Sequence, residues 1–429
     1  MNIIAIVILS FILFEFFIHA VGDVLNLSMM KEKPPSEVNN IFNEKEYEKS
    51  CAYLKTNTEF GWVTQVFDLT VFILFWFMGG FRLLQSLIEP IGLDAVNTGV
   101  LYIGCLLALK ALLSLPFEIY ETFVIEERFG FNKTTLKTFM SDRLKGSVLA
   151  VLLGGPLLFG ILAFFNYAEK NAWWMCWLAV TAFILAVQYV APTWIMPLFN
   201  KFTPLENGEL KRAILGYAES VNFPIKNVFV MDGSKRSSKS NAFFTGFGKN
   251  RRIALFDTLI EKLEDNELIA VLAHEAGHYR KKHILMMMLA GIVQTGATFY
   301  LLEFVIRYQP LFDAFYMDKP TDYAGLIFFG MLYGPISFLI GLLMGAISRS
   351  HEFNADRFAA ETTKDPGALI NALTKISAEN LSNLNPHPFY VKLNYSHPPV
   401  LSRIRALSRG PYAFSISASN NNNARGSES

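Results

Sequence analysis

The chain has 429 residues, of which 52% are hydrophobic and only 17% charged. An ordinary soluble domain carries about 25% charged residues, so this composition points to lipid as the main solvent. A net charge of +1, with no basic stripe interleaved with aromatics, excludes nucleic acid as a partner. Cys51, Cys105 and Cys176 are odd in number and widely spaced, which excludes a disulfide framework and a paired-cysteine metal site.

Apolar runs long enough to cross about 30 Å of hydrocarbon fall near residues 2–22, 62–88, 99–124, 147–167, 172–199, 283–306 and 323–348. They predict a mainly α, polytopic membrane protein with seven transmembrane helices. Span 1 lacks a basic n-region, and Glu15 and His19 interrupt it, so it reads as a retained helix rather than a signal peptide. The loop after span 1 holds Lys31, Lys33, Lys45, Lys49 and Lys55, and the loop after span 3 holds Arg128, Lys133, Lys137, Arg143 and Lys145. The intervening loops are poor in base: Arg82 follows span 2, Lys170 follows span 4, and Arg307 and Lys319 follow span 6. Basic loops stay in the cytoplasm, so this alternation puts the N-terminus outside and the C-terminus inside.

Between the spans, residues 25–60 around Pro34-Pro35 read as a charged loop with short helical pieces. Residues 201–282 read as a small cytoplasmic α/β unit, with a buried strand at Asn227–Asp232. A β-hairpin follows, from Asn241–Phe247 through a Gly248-Lys249-Asn250 turn to Ile253–Phe256. A helix is expected over about 265–282, and another cytoplasmic helical segment over about 350–380. The domain division is therefore 1–200 (spans 1–5), 201–282, 283–348 (spans 6 and 7) and 349–414, with a tail at 415–429 that has no core-forming pattern and reads as disordered.

The helix over 265–282 carries His274-Glu275-Ala276-Gly277-His278. Residues i and i+4 share a helix face, so both imidazoles reach one metal ion while Glu275 reaches a water held by it. A tetrahedral zinc with one open position needs a third protein ligand. Glu352 is the best candidate, carried on the helix leaving span 7, and Asp356 at i+4 would support a ligand histidine from behind. His351 and His283 compete for the place; His283 is i+5 from His278 and would point off the ligand face. The chemistry expected of such a zinc site is peptide hydrolysis, with Glu275 as general base. His397 in Ser396-His397-Pro398-Pro399 could supply an oxyanion donor, with Arg403 six residues on. His387 reads as structural. Asn241, Ala242 and Phe243 lie on a strand that could take an extended substrate by strand addition, or pack in the core.

The chain resembles the type I CAAX prenyl proteases, integral-membrane zinc endopeptidases, over nearly its whole length. The resemblance lies in Ile125–Lys133, in Pro197–Phe202 with Pro204-Leu205, and in Ser240–Phe244. It continues through the 274–278 motif, His351–Asp356, and Tyr395–Pro399 with Arg403. It implies zinc ligands His274, His278 and Glu352, with Glu275 as base. Supporting roles follow for Asp356, His397 and Arg403, and substrate contacts at Asn241. It also implies seven tilted helices around a water-filled intramembrane chamber, which would accommodate Glu15, His19, Lys110, Glu118 and Glu121. The substrate would be a peptide or protein prenylated at its C-terminus, met at the membrane lipid. The compact loop from Tyr308 to Thr321 and the brief tail point to a bacterial inner membrane rather than the endoplasmic reticulum.

Two other readings compete. A membrane quality-control metalloprotease shares the chemistry but usually has about four spans. A polytopic transporter or channel would explain the intramembrane charges, yet it needs no zinc constellation and shows no interrupted helices in matching halves.

Overall fold

A computed structural model describes residues 2–30, 33–38, 44–168, 171–225, 227–245 and 252–409. The expected hairpin turn at 248–250, Lys31, Lys170 and the tail from 415 lie outside the described residues. Among the described residues, six helices are long and apolar enough to cross a membrane: Ile3–Ser28, Glu44–Phe77, Ala95–Glu126, Leu136–Tyr167, Ala172–Phe199 and His283–Val305. A seventh crossing is a broken pair, Asp322–Leu332 and Gly334–Thr363, bent by 54°. The break falls just before Pro335, which donates no backbone hydrogen bond and crowds the preceding turn.

Two expected boundaries move. Span 2 does not run from 62 to 88. Its helix starts in the charged stretch at Glu44 and ends at Phe77, and Gly79 with φ 72° breaks the chain before a separate helix, Gly80–Ile88. Only glycine adopts that conformation without cost. The segment expected to be mainly loop is thus helical from Glu44 onward, and Tyr47 packs with Val38, Leu384, Leu401 and Ile404 of the polar domain. The 308–321 connection is likewise no plain loop: it holds a short helix, Gln309–Asp313, and Leu311, Phe312, Phe315 and Met317 are almost fully buried. These side chains pack with Trp76, Phe81 and Phe328, so the connection closes one end of the bundle.

The polar domain holds a four-stranded sheet in the order β1-β2-β4-β3, where β1 is Phe202–Pro204, β2 Val228–Met231, β3 Ala242–Thr245 and β4 Arg252–Phe256. The central pair β2 and β4 is parallel and both flanking pairs are antiparallel. β3 is therefore an edge strand. Helix Asp265–Arg280 lies against the sheet, starting at a capping box between Glu264 and Glu267. Glu267 is buried and paired with Lys375 Nζ at 2.7 Å, which ties this helix to Pro366–Glu379. Leu268, Leu272 and Ala276 enter the core under the sheet, while Ala270 and Ala273 meet Ala359 and Ala360 of the last spanning helix.

Candidate metal centre

His274, Glu275 and His278 lie on Asp265–Arg280, and Glu352 and Asp356 lie on Gly334–Thr363, two helices in extensive contact. Their approach depends on small residues. A Cβ added to Gly277 would stand 2.9 Å from Ala355 Cα, and Ala355 sits between Glu352 and Asp356 on the facing helix. The expected i, i+4 geometry places both imidazoles on one side, with His278 Nε2 3.1 Å from His274 Nε2. Two nitrogens bound to one tetrahedral zinc at about 2.05 Å would stand roughly 3.3 Å apart. Glu352 completes the group: its Oε1 lies 3.2 Å from His278 Nε2 and its Oε2 3.4 Å from His274 Nε2. One ligand atom from each of the three residues lies within 4.8 Å of the others.

Whether this group suits a metal is decided by Glu352. Its Oε2 is buried and receives no hydrogen bond among the described residues. A carboxylate oxygen buried beside two facing imidazole nitrogens calls for a cation, and two nitrogens with one oxygen suit zinc. The residues fit the group.

The surrounding shell is specific. Asp356 Oδ1 stands 2.9 Å from His274 Nδ1, the nitrogen turned away from the ligand cluster. Arg403, itself buried, grips the same carboxylate through Nε at 2.8 Å and Nη2 at 2.6 Å. Burial would depress the His274 pKa, but the neighbouring carboxylates of Asp356 and Glu352 outweigh that and push it up to about 9. Burial also works against the Arg403 charge, yet the bond to Asp356 raises its pKa above the ordinary value. Asp356 thus stands behind His274, and Arg403 behind Asp356.

Glu275 is half-buried, one residue along from His274. His397 is 65% exposed at its side chain, and its Nε2 comes within 3.4 Å of Glu352 Oε1, so an accessible imidazole borders the ligands. Arg349 fixes that loop by donating to Tyr395 O at 2.6 Å, a contact that no local sequence pattern marks. His387 caps the helix Pro388–Asn394 through its ring.

His283 stays outside the ligand group, but by a different geometry from the one expected. Lys282, with φ 58°, ends the histidine helix before span 6 begins, so the i+5 geometry does not apply. His283 instead turns back and places Nδ1 3.2 Å from His278 Nδ1. His351 stacks on it, with ring centroids 4.0 Å apart. Neither joins the ligand group; both stand behind His278. Of the three strand residues, Asn241 is exposed and Ala242 packs at the edge of the core beneath the sheet, while Phe243 contributes to β3 through its backbone pairing with Ala254.

Comparison with known proteins places the chain among relatives. Residues 23–201 match the family described as CAAX prenyl protease N-terminal, five membrane helices, and residues 204–410 match peptidase family M48. CAAX prenyl protease 1 of Saccharomyces cerevisiae is 34% identical over 411 residues, covering 88% of this chain and 89% of the relative.

The chain belongs to the CAAX prenyl protease family.

A homolog of CAAX prenyl protease 1 from Arabidopsis thaliana is 35% identical, covering 87% of this chain and 90% of its own length. The human homolog is 31% identical, covering 87% and 88% respectively. The crystal structure of S. mikatae Ste24p superposes with a TM-score of 0.88 at 31% identity, covering 95% of this chain and 99% of that one. Family membership makes this protein a multi-pass membrane metalloendopeptidase acting on peptide or protein substrates.

Proposed function

We propose that the protein is a zinc endopeptidase that cuts near the C-terminus of prenylated proteins, working at the cytoplasmic face of its membrane. The observation that carries the reading is the meeting of His274, His278 and Glu352, from two helices separated in sequence by the whole of span 6, beside Glu275. The names of the relatives supply the prenylated substrate class. The basic loops after spans 1 and 3 support the cytoplasmic orientation.

His274, His278 and Glu352 would hold zinc, which supplies Lewis acidity to the scissile carbonyl and acidifies water. Glu275 takes the proton from water and delivers it to the departing amine. His397 presents its exposed imidazole to the oxyanion. Asp356, clamped by Arg403, fixes the tautomer and aim of His274. A substrate strand lies along Asn241, Ala242 and Phe243 at the sheet edge.

The spans support a water-filled chamber. Lys110 of span 3 pairs with Asp68 of span 2 at 2.6 Å, and both side chains remain at least half exposed. Glu118 pairs with Arg143 of the next helix. Such charges facing acyl chains would be costly, and facing water they are not.

The test is bound zinc and hydrolysis of a farnesylated C-terminal peptide, in wild type and Glu275→Gln. Glu275→Gln should retain zinc and lose turnover by several orders of magnitude. Unchanged hydrolysis would overturn the mechanism, and equal cleavage of an unprenylated membrane peptide would favour a broad quality-control protease.

A further inference from the structure

We infer that Asn380 sets the register of the substrate strand, and so the peptide bond that is cut. This rests on the reading that substrate lies along the β3 edge. Asn380 ends the helix Pro366–Glu379, and its carboxamide takes both backbone groups of Ser240: Ser240 N donates to Oδ1 at 3.0 Å and Nδ2 donates to Ser240 O at 3.1 Å. This is the pair of bonds a neighbouring strand would make, supplied by one side chain. Phe256 N donates to Asn241 O at 3.1 Å, so Asn241 turns its backbone toward β4. Backbone groups alternate along a strand, so those of Ser240, Ala242 and Phe244 turn toward the free edge. The Ser240 groups are taken by Asn380, and Asn241 Oδ1 covers Ala242 N at 2.8 Å. An incoming strand that lies along residues 241–243 therefore meets a stop at Ser240 and finds Ala242 N already covered.

The stop is firmly placed. Lys262 Nζ donates to Ser238 O at 3.1 Å and pairs with Glu379 at 2.6 Å, and Thr258 Oγ1 donates to Lys239 O at 3.1 Å. β3 also packs on the helix that carries His274 and His278, so a fixed pairing register becomes a fixed distance to the ligand cluster. Strand pairing can slip only by two residues without turning every side chain over. Freeing the Ser240 groups therefore offers the substrate one alternative register, displaced by two.

The experiment is mass spectrometry of the products from a farnesylated peptide, with zinc content measured in parallel. Wild type should give one cleavage position. Asn380→Ala, and the milder Asn380→Ser, should add a second product displaced by two residues, on the order of a tenth of the total or more. Lys262→Met loosens the same segment without freeing Ser240, so it should raise KM and leave the position unchanged. A single unshifted product from either zinc-loaded Asn380 variant overturns the inference while the proteolytic reading stands. Loss of zinc in both variants overturns it too, by making Asn380 a folding residue. Failure of wild type to cut removes the proteolytic reading first.

Discussion

Gly277 packs against the backbone of Ala355, and a methyl group there would come within 2.9 Å of Ala355 Cα and 3.1 Å of its carbonyl oxygen. The contact falls in the same turn as Glu352 and Asp356, so the helix separation at this point sets the reach from His274 and His278 to Glu352. Backbone atoms cannot swing aside as a flexible side chain would. Gly277→Ala should force the helices apart by a few tenths of an ångström, cost about 1–3 kcal/mol in overpacking, and weaken metal binding at least tenfold. Chelator competition and thermal unfolding of the same preparation check both. Unaltered metal affinity would mean the site tolerates the shift.

Asp356→Asn keeps the size of the side chain and removes its charge. His274 loses the carboxylate behind Nδ1, and Arg403 loses the partner it grips at 2.6 Å. Partners behind a metal ligand are worth about 10–100-fold in affinity, and breaking a buried ion pair costs roughly 3–5 kcal/mol. The lower end is expected for stability, because Arg403 Nη1 still lies 3.5 Å from Glu352. Zinc titration should show the affinity loss, with kcat of the zinc-saturated enzyme falling less than kcat/KM measured at limiting zinc.

Much of this site is legible in sequence because its logic is local. The i, i+4 spacing of His274 and His278 needs only a helix, and seven apolar runs announce seven crossings. Glu352 needs one further step, that span 7 returns the chain beside the histidine helix. What escapes is set by single backbone torsions and by partners distant in the chain. Lys282 in the left-handed region turns His283 back onto His278, which helix periodicity forbids. Gly79 splits the apolar run of 62–88, and nothing in hydropathy separates a glycine hinge from a glycine in a span. Asn380 meets Ser240 from 140 residues away, and no local pattern marks that pairing.

The His274 pKa of about 9 gives metal loading a pH dependence. Below that value His274 carries a proton that a metal must displace, so protons compete with zinc. Apparent affinity should rise roughly tenfold per pH unit from this group between about pH 6 and 8, and loading near pH 7 should release about one proton to buffer. Calorimetry in buffers of different ionisation enthalpy reads the proton count. In Asp356→Asn the main bond raising this pKa is lost, so the slope should shrink; a steep slope there would place the proton elsewhere.

Ser114 lines, with Asp68 and Glu118, a cleft shared by spans 2 and 3. If water reaches that cleft, Ser114→Cys should react with a charged, membrane-impermeant thiol reagent, well above the background from Cys51, Cys105 and Cys176. Leu112→Cys, an exposed apolar position on the opposite face of the same helix, is the lipid-side comparison. Equal inertness of the two would argue against an aqueous chamber.

The edge of β3 can be tested without touching a zinc ligand. By the alternation that starts at Asn241, the Phe244 N–H turns away from β4, so the ladder to Ile253 does not use it. Proline is tolerated in an edge strand at such a position, because no ladder bond is lost there. Phe244→Pro therefore removes one backbone donor from the face where a substrate strand would add. KM should rise about three- to tenfold, the worth of roughly one hydrogen bond, while zinc content and unfolding temperature stay near wild type. Phe244→Ala separates the loss of the ring from the loss of the N–H. If alanine and proline behave alike, the backbone of β3 does not hold the substrate, and the peptide must reach the zinc ligands along another surface.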